Sequence, residues 1–432
     1  MPTAPIQPES LTLRAYQVGF GDCFLLTFHY PKRGTKAAFD RHVLVDCGSS
    51  ALPKNAPADH LLRVAKDIAI ECGGKLHAVV VTHRHLDHLS GFTRQPDGKG
   101  TGDILRALKP DVVIQPWTED PLAQADALTP SAKNDPGLAT IRALANMHIF
   151  AAGVVKESRQ LQGKLGAKRL AQLAFLGEEN LTNADAVKNL MTMGKNFYVY
   201  HGSRSGLETV LPGVKIHVLG PPTLRQSSAI RQQRAKDADE FWQLQAAAGQ
   251  RFTAGAARLF PGAAVYRQGQ KPPPFARWLI PRMLAARADQ LLEVVRVLDD
   301  QMNNTSIILL LETANRKLLF PGDAQIENWL YTLKESPRAA QLAPLLAEVD
   351  LYKVGHHASG NATPKTLWGL FKHKGLKSKP DQMQTILSTR AGKHDGVPQA
   401  ELVAALKNDT NLHSTEDLKP SDLKYVLGSF KL

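Results

Sequence analysis

The segment Val79-Val80-Val81-Thr82-His83-Arg84-His85-Leu86-Asp87-His88-Leu89-Ser90-Gly91 constrains this chain more than any other, because a run of β-branched residues leads straight into four metal-capable side chains within six positions. The valines favour a short strand, and the chain beyond them should turn into a helix. In the extended part alternate residues share a side, so His83 and His85 can grip one cation. Asp87 and His88, one step further on, face a second. Imidazole nitrogen together with carboxylate oxygen suits zinc, manganese or iron rather than a thiolate-bound structural zinc.

The composition describes the setting of that cluster. A chain of 432 residues exceeds the usual single-domain range, so one enlarged domain or two units are expected. No stretch approaches eighteen apolar residues, and the opening Met1-Pro2-Thr3-Ala4-Pro5-Ile6 lacks the basic start and apolar run of a signal peptide. The expectation is a cytoplasmic protein with no membrane segment. Cys23, Cys47 and Cys72 are odd in number and show no C-x-x-C pairing, which reads as small core residues in a reducing compartment. A net charge of +13 and a pI near 9.5 favour anionic partners, whether nucleic acid, nucleotide or a phosphorylated small molecule. The assembly state is left open.

Further motifs follow in a telling order. Tyr16-Gln17-Val18-Gly19-Phe20-Gly21-Asp22-Cys23-Phe24-Leu25-Leu26 and Val43-Leu44-Val45-Asp46-Cys47-Gly48 precede the histidine cluster. Asn303-Asn304-Thr305-Ser306-Ile307-Ile308-Leu309-Leu310, Leu318-Leu319-Phe320-Pro321-Gly322-Asp323-Ala324 and Leu351-Tyr352-Lys353-Val354-Gly355-His356-His357-Ala358-Ser359 come far downstream. The set resembles the metallo-β-lactamase superfamily, and within it most closely the hydrolase domain of ComEC-type competence proteins. In that branch a G-x-G-D turn opens the domain, an N-N-x-S strand precedes the G-D, and K-V-x-H-H-G-S follows. Ala358 stands where the branch usually has glycine. The competence proteins are membrane channels, a setting this composition does not share.

The resemblance implies an α/β fold of four layers, an αββα sandwich, holding two divalent ions, zinc or manganese. Carried over residue by residue, it implies that His83 and His85 hold the first ion, Asp87 and His88 the second, that Asp323 bridges them, and that His356 completes the second. His357 then orients a neighbour or meets the substrate. A hydroxide between two dications roughly 3.5–4 Å apart is a nucleophile at neutral pH, so the implied chemistry is hydrolysis. The Thr389 to Pro398 segment resembles the Gly-x-His-Pro loop that ends the competence-type domain, with three residues between His394 and Pro398 where the branch has none. His394 is either a proton donor to the leaving group or a surface-loop histidine.

Many superfamily members supply a third histidine to the first ion, and this chain offers no obvious one. His148 reads as a core residue, His217 lies inside a probable strand, and His201 at a strand end is the better candidate; Asn303 or Asn304 is the alternative. An oxygen-rich shell there would favour manganese.

The extra length falls into two interruptions. The expected organisation is a core over 10–125, a helical insertion over 126–195, core strands over 196–222, a basic helical insertion over 223–302, and the rest of the core over 303–432. Helical spacing recurs from Leu138 to Met147 and from Leu161 to Leu176. In the second insertion a helix-prone run from Leu224 to Gln250 is broken at Lys271-Pro272-Pro273-Pro274 before another helix from Ala285 to Leu298. Basic residues outnumber acidic ones there, and Arg225, Arg231 and Arg234 form either a phosphate-contacting ridge or a solvated helix face. With Phe241 and Trp242 the aromatics nearby, base stacking is weakly supported.

The favoured function is a phosphodiesterase or nuclease on an anionic substrate, in which Asp87, His357, Lys353 and His394 are the candidate catalytic side chains and Lys353 helps neutralise developing charge. An ester, lactone or amide hydrolase is the second reading, and a non-catalytic metal-stabilised module the third. Fold alone does not choose among them.

Overall fold

Apolar runs, most of them buried on both faces, assemble the strands of this chain into two sheets. The computed structural model describes residues 6–34, 37–120, 183–223, 225–227, 302–375, 381–394, 396–419 and 421–432. In chain order the strands are β1 (Ser10–Tyr16), β2 (Cys23–Tyr30), β3 (Phe39–Cys47), β4 (Ala78–Val80), β5 (Val112–Pro116), β6 (Lys195–Val199), β7 (Lys215–Gly220), β8 (Ile308–Glu312), β9 (Lys317–Phe320), β10 (Leu351–Lys353), β11 (Gln384–Leu387), β12 (Asn411–Ser414) and β13 (Lys424–Lys431). One sheet runs β13-β1-β2-β3-β4-β5-β6, antiparallel up to β3 and parallel from there. The other runs β12-β11-β10-β9-β8-β7, parallel up to β9 and antiparallel beyond. The fold is therefore α/β, with two mixed sheets and helices.

Three apolar cores follow from the alternation of side chains across each strand. Leu13, Phe24, Leu26, Val43 and Val45 of the first sheet pack with Leu309, Leu311, Phe320, Leu351 and Ile386 of the second in one cluster. Phe24 and Phe320 meet edge to face across it, with ring centroids 6.3 Å apart. Residues of opposite parity on the first sheet, Leu25, Leu44 and Val79, pack instead with Val64 and Ile68 of helix α1 (His60–Glu71), with Leu105 of Thr101–Ala107, and with Ala186 and Leu190 of Ala184–Met193. On the second sheet, Leu310, Leu319 and Tyr352 pack with Trp329, Leu342, Leu346, Leu367 and Leu406 from four further helices.

Two features differ from the sequence expectation. Asn303-Asn304-Thr305-Ser306 is a turn rather than a strand, because Thr305 and Ser306 spend their amide protons locally on Met302 and Asn303 carbonyls at 3.0 Å each. The strand begins only at Ile308. The helix Ala184–Met193 lies within the expected 126–195 insertion yet buries Ala186 and Leu190 in the core of the first sheet. The helices read at 138–147, 161–176 and 285–298, and nearly all of that at 224–250, lie outside the described residues.

The descending chain after β3 is pressed against the histidine segment. A Cβ on Gly48 would stand 2.6 Å from the backbone of both Asp87 and His88, so no side chain fits there. Gly48→Ala is expected to cost on the order of 1–3 kcal/mol by overpacking and to lower the thermal midpoint by several degrees. Gly369→Ala, exposed near the end of a helix with nothing within 4 Å of its would-be Cβ, should be neutral or stabilising by about 0.5–1 kcal/mol. Thermal unfolding of the two variants checks both; equal midpoints would contradict the packing assigned to Gly48.

Candidate metal centre

The sequence motifs converge where parallel strands of both sheets end. Asp46 lies near the end of β3, Thr82 and His83 follow β4, Asp323 follows β9, His356 and His357 follow β10, and Ser388 follows β11. Open α/β sheets build their sites at such carboxyl ends. Ile307 N–H donates to Thr82 O at 2.9 Å, tying the turn before β8 to the histidine segment across the two sheets.

Asp87, His88, Asp323 and His357 each offer one ligand atom within 4.8 Å of the others. His88 Nε2 lies 3.1 Å from Asp323 Oδ2, and His357 Nε2 lies 3.1 Å from Asp87 Oδ2 and 3.4 Å from Asp323 Oδ2. The other ring nitrogen of each histidine is already committed. His88 Nδ1 is 2.8 Å from Asp46 Oδ2, and His357 Nδ1 is 2.9 Å from the Ser388 carbonyl. Both acceptors call for an N–H at Nδ1, which leaves an Nε2 lone pair turned toward the two carboxylates. That is how outer-layer partners prepare a metal-ligating histidine. Asp46 is fixed in turn by Thr82, whose amide and hydroxyl donate to its two oxygens at 2.7 Å each. The donor set, two imidazoles and two carboxylates with no thiolate, fits a divalent ion of the zinc or manganese kind.

His83 and His85 form the neighbouring pair, with His83 Nε2 2.9 Å from His85 Nδ1. Among the described residues no histidine, cysteine or carboxylate completes a set of three with them. His201 does not reach the centre: its Nδ1 donates to Leu219 O and its Nε2 meets Ser336 Oγ, both at 2.8 Å. His217 pairs with Glu312 at 2.8 Å on the β7–β8 ladder, and His148 lies outside the described residues. Asn303 and Asn304 are buried in the turn that precedes β8, and Asn303 Oδ1 has no hydrogen-bond partner among the described residues. A buried amide oxygen left without a donor costs about 1–3 kcal/mol, which makes it the better remaining candidate for a cation.

Two neighbouring histidines exchange the places expected for them. His357 is fully buried with its Nε2 inside the four-residue group, whereas His356 has a side chain 22% exposed and its Nε2 4.0 Å from Asp323 Oδ2. The reason is local backbone: His356, His357 and Ala358 have φ of 42°, 51° and 65°. Three successive left-handed residues rotate the second histidine inward, at roughly 1–2 kcal/mol each for a residue bearing a Cβ. Strain of this sort gathers at functional sites. Ser359 N–H to His356 O at 2.7 Å and Gln399 N–H to Ala358 O at 2.8 Å hold the turn.

Lys353 is turned into the protein. It is 1% exposed, its Nζ contacts Asp22 Oδ2, and it lies 3.2 Å from Gly322 O and 3.4 Å from Asp323 Oδ1. The Gly322 carbonyl and Asp323 Oδ1 accept from the ammonium, and Asp22 is its ion-pair partner. His394 stands one ring away from the centre, with the Phe20 ring 4.7 Å from it and 4.3 Å from His357. The residues missed in the sequence are Asp22, Asp46 and Ser388. The signal for the first two was an acid beside a cysteine at one end of an apolar run, with a glycine within two residues; the third acts through its backbone carbonyl, which no sequence pattern marks.

Electrostatics agree with a demand for cations. Burial alone would raise the Asp87 and Asp323 carboxyls, but His88, His357 and, for Asp323, Lys353 hold both below the ordinary range. Burial would lower His88 and His357, yet Asp323 and the neighbouring carboxylates push both up. His83, buried beside His88 and His85, stays neutral and ligand-ready. A field that loads protons onto two buried imidazoles would hold a divalent ion in their place and expel those protons.

Because those imidazole values are raised, proton competition grows as pH falls. Adding manganese or zinc to chelator-treated protein in weak buffer near neutrality should therefore release protons, and apparent affinity should weaken toward acid; uptake without release would contradict the arrangement. His357→Ala should lose bound metal by roughly 10-fold or more, while His356→Ala keeps most of it, judged by elemental analysis after dialysis; the reverse order would restore His356 as the ligand. Asp323→Ala should reduce total metal more than His83→Ala does. No protein-family model and no curated protein matches this chain, so the chemistry of the centre rests on these side chains themselves.

Proposed function

We propose that this chain is a metal-dependent hydrolase of the metallo-β-lactamase type, a four-layer αββα sandwich similar to the ComEC-type hydrolase domain, which cleaves a phosphodiester in an anionic substrate such as a nucleic acid or nucleotide. The observation that carries the reading is the buried charge of the centre. Asp22, Asp46, Asp87 and Asp323 bring four carboxylates into one cluster, and among the described residues Lys353 brings an ammonium against two of them, Asp22 and Asp323. Isolated buried charges cost on the order of several kcal/mol each unless paired. With His88 and His357 neutral as ligands, two divalent ions held there would turn a deficit of three positive charges into a surplus of one, a field suited to an anion. Such ions supply Lewis acidity and lower the pKa of a bound water to about 7.

The remaining work falls to this chain's own side chains. His88 and His357 keep their lone pairs aimed because Asp46 and the Ser388 carbonyl fix their other nitrogens. His356, partly open to solvent beside Asp323, would meet the substrate. His394, beyond Phe20, would approach the leaving group. The layered packing of two sheets with helices on their outer faces supports the sandwich, and the net charge of +13 supports an anionic substrate.

A neutral ester, lactone or amide substrate is the second reading, and one observation favours it. Lys353, the cation expected to meet developing negative charge, is spent inside the protein. Comparing a bis-aryl phosphodiester, a single-stranded DNA and a neutral lactone separates the two. We expect phosphodiester cleavage raised by manganese and reduced to background by chelation or by Asp87→Ala. Turnover of the lactone alone by fully metal-loaded protein would make the second reading correct.

A further inference from the structure

Asp22 and Lys353 have no part in the ligand set, yet they are as deeply buried as the ligands. Asp22 contacts the Lys353 ammonium through Oδ2, and its Oδ1 lies 3.7 Å from His357 Nδ1. Its backbone is pinned from both sides, since its N–H donates to Asp87 O at 2.9 Å and its carbonyl accepts from Gly48 N–H at 3.0 Å. Asp22, Asp46 and His88 by themselves form a buried group with the composition of a further cation site. The ammonium already lies against that group.

The same ammonium reaches Asp323. Lys353 Nζ lies 3.4 Å from Asp323 Oδ1 and 3.2 Å from the Gly322 carbonyl. Asp323 Oδ2 faces the other way, toward His88 Nε2 at 3.1 Å and His357 Nε2 at 3.4 Å. The two oxygens of one carboxylate are thus divided between an internal ammonium and the imidazoles. Without a partner for Oδ1, rotation about the terminal bond would present either oxygen, or both, to the centre, because that torsion is soft. Lys353 cannot swing away, since β10 fixes its backbone between β9 and β11 and Asp22 holds its tip.

We propose that Asp22 and Lys353 form a positioning pair, a built-in monovalent cation and its counter-ion, that turns Asp323 Oδ2 into the metal centre and keeps it there. The proposal rests on reading the centre as a divalent-metal site. It assigns Lys353 no contact with substrate and no selectivity for charged over neutral substrates. Outer-layer partners of this kind are worth about 10–100-fold in metal affinity.

The decisive variant is the charge-neutral double substitution Lys353→Met with Asp22→Asn, because it leaves the net charge of the pocket unchanged and removes only the pairing. Parent and variant would be compared by circular dichroism, by divalent metal bound per chain in manganese titrations, by the visible spectrum of the cobalt-loaded protein, and by turnover of a phosphodiester and a neutral ester. The expected result is a folded variant whose affinity for manganese falls about 10–100-fold, whose cobalt spectrum changes, and whose turnover of both substrates falls by one common factor. Should the double variant fail to fold, Asp22→Asn alone, nearly isosteric, should show the same direction with a smaller loss. A folded variant with parental affinity and cobalt spectrum would overturn the proposal. So would a loss confined to the phosphodiester with metal binding intact, since that would put Lys353 on the substrate. If the parent itself takes up no divalent ion, the reading of the centre fails, and the positioning role fails with it.

Discussion

Four buried carboxylates facing one ammonium are the constraint on which the rest of this structure depends. Asp22, Asp46, Asp87 and Asp323 are removed from water at the strand ends where the two sheets meet, and a dry environment charges heavily for each unpaired ion. Every local peculiarity nearby can be understood as arranging positive charge or donated protons against them. Thr82 offers Asp46 two donors. Lys353 serves Asp22 and Asp323. His88 and His357 present nitrogen toward Asp323 from two different elements. These carboxylates push His88 and His357 toward their protonated forms, positive charge that divalent ions would supply in place of those protons.

The fold supplies rigidity for this. The core between the sheets is built from residues of eleven strands, β1 to β11, so the strand ends that carry the acids and histidines are held from below by close packing rather than by loops. Close backbone approach does the rest. Gly48 lets the end of β3 lie against Asp87 and His88, and Gly322, at φ 55°, lets the Asp323 turn lie against Thr82, where a Cβ would be 2.7 Å away. The left-handed run at His356, His357 and Ala358 is the complementary device on the second sheet.

Much of this was legible in the sequence because it is local. The valine run before His83 forecast β4, and the motifs from Leu318 and from Leu351 marked the segments that deliver Asp323 and the histidine pair. Along the central strands alternate residues enter different cores, as period-two alternation requires. What escaped was set by three-dimensional contact or by backbone sign. His356 and His357 are adjacent and chemically identical, and only the left-handed turn decides which one points inward. Lys353 looks like a substrate cation in sequence, because nothing in the chain near it announces that Asp22, over three hundred residues earlier, will take its charge. The β13 strand that pairs with β1 is equally non-local. The Asn-Asn-Thr-Ser segment turns rather than extends because the Thr305 hydroxyl and the Thr305 and Ser306 amides bond to the residues just before them, an option that strand propensity does not count.

The buried His and Asp cluster could hold metal, and the proposal is that it takes up two divalent cations. Anomalous X-ray scattering from crystals grown with manganese, with data on both sides of the manganese absorption edge, tests it most directly. The account predicts two anomalous peaks roughly 3.5–4 Å apart, one against His83 and His85 and one among Asp87, His88 and His357, with Asp323 Oδ2 between them. A pocket with no anomalous peak, in which His88 and His357 simply bond as imidazolium ions to the carboxylates, would contradict it.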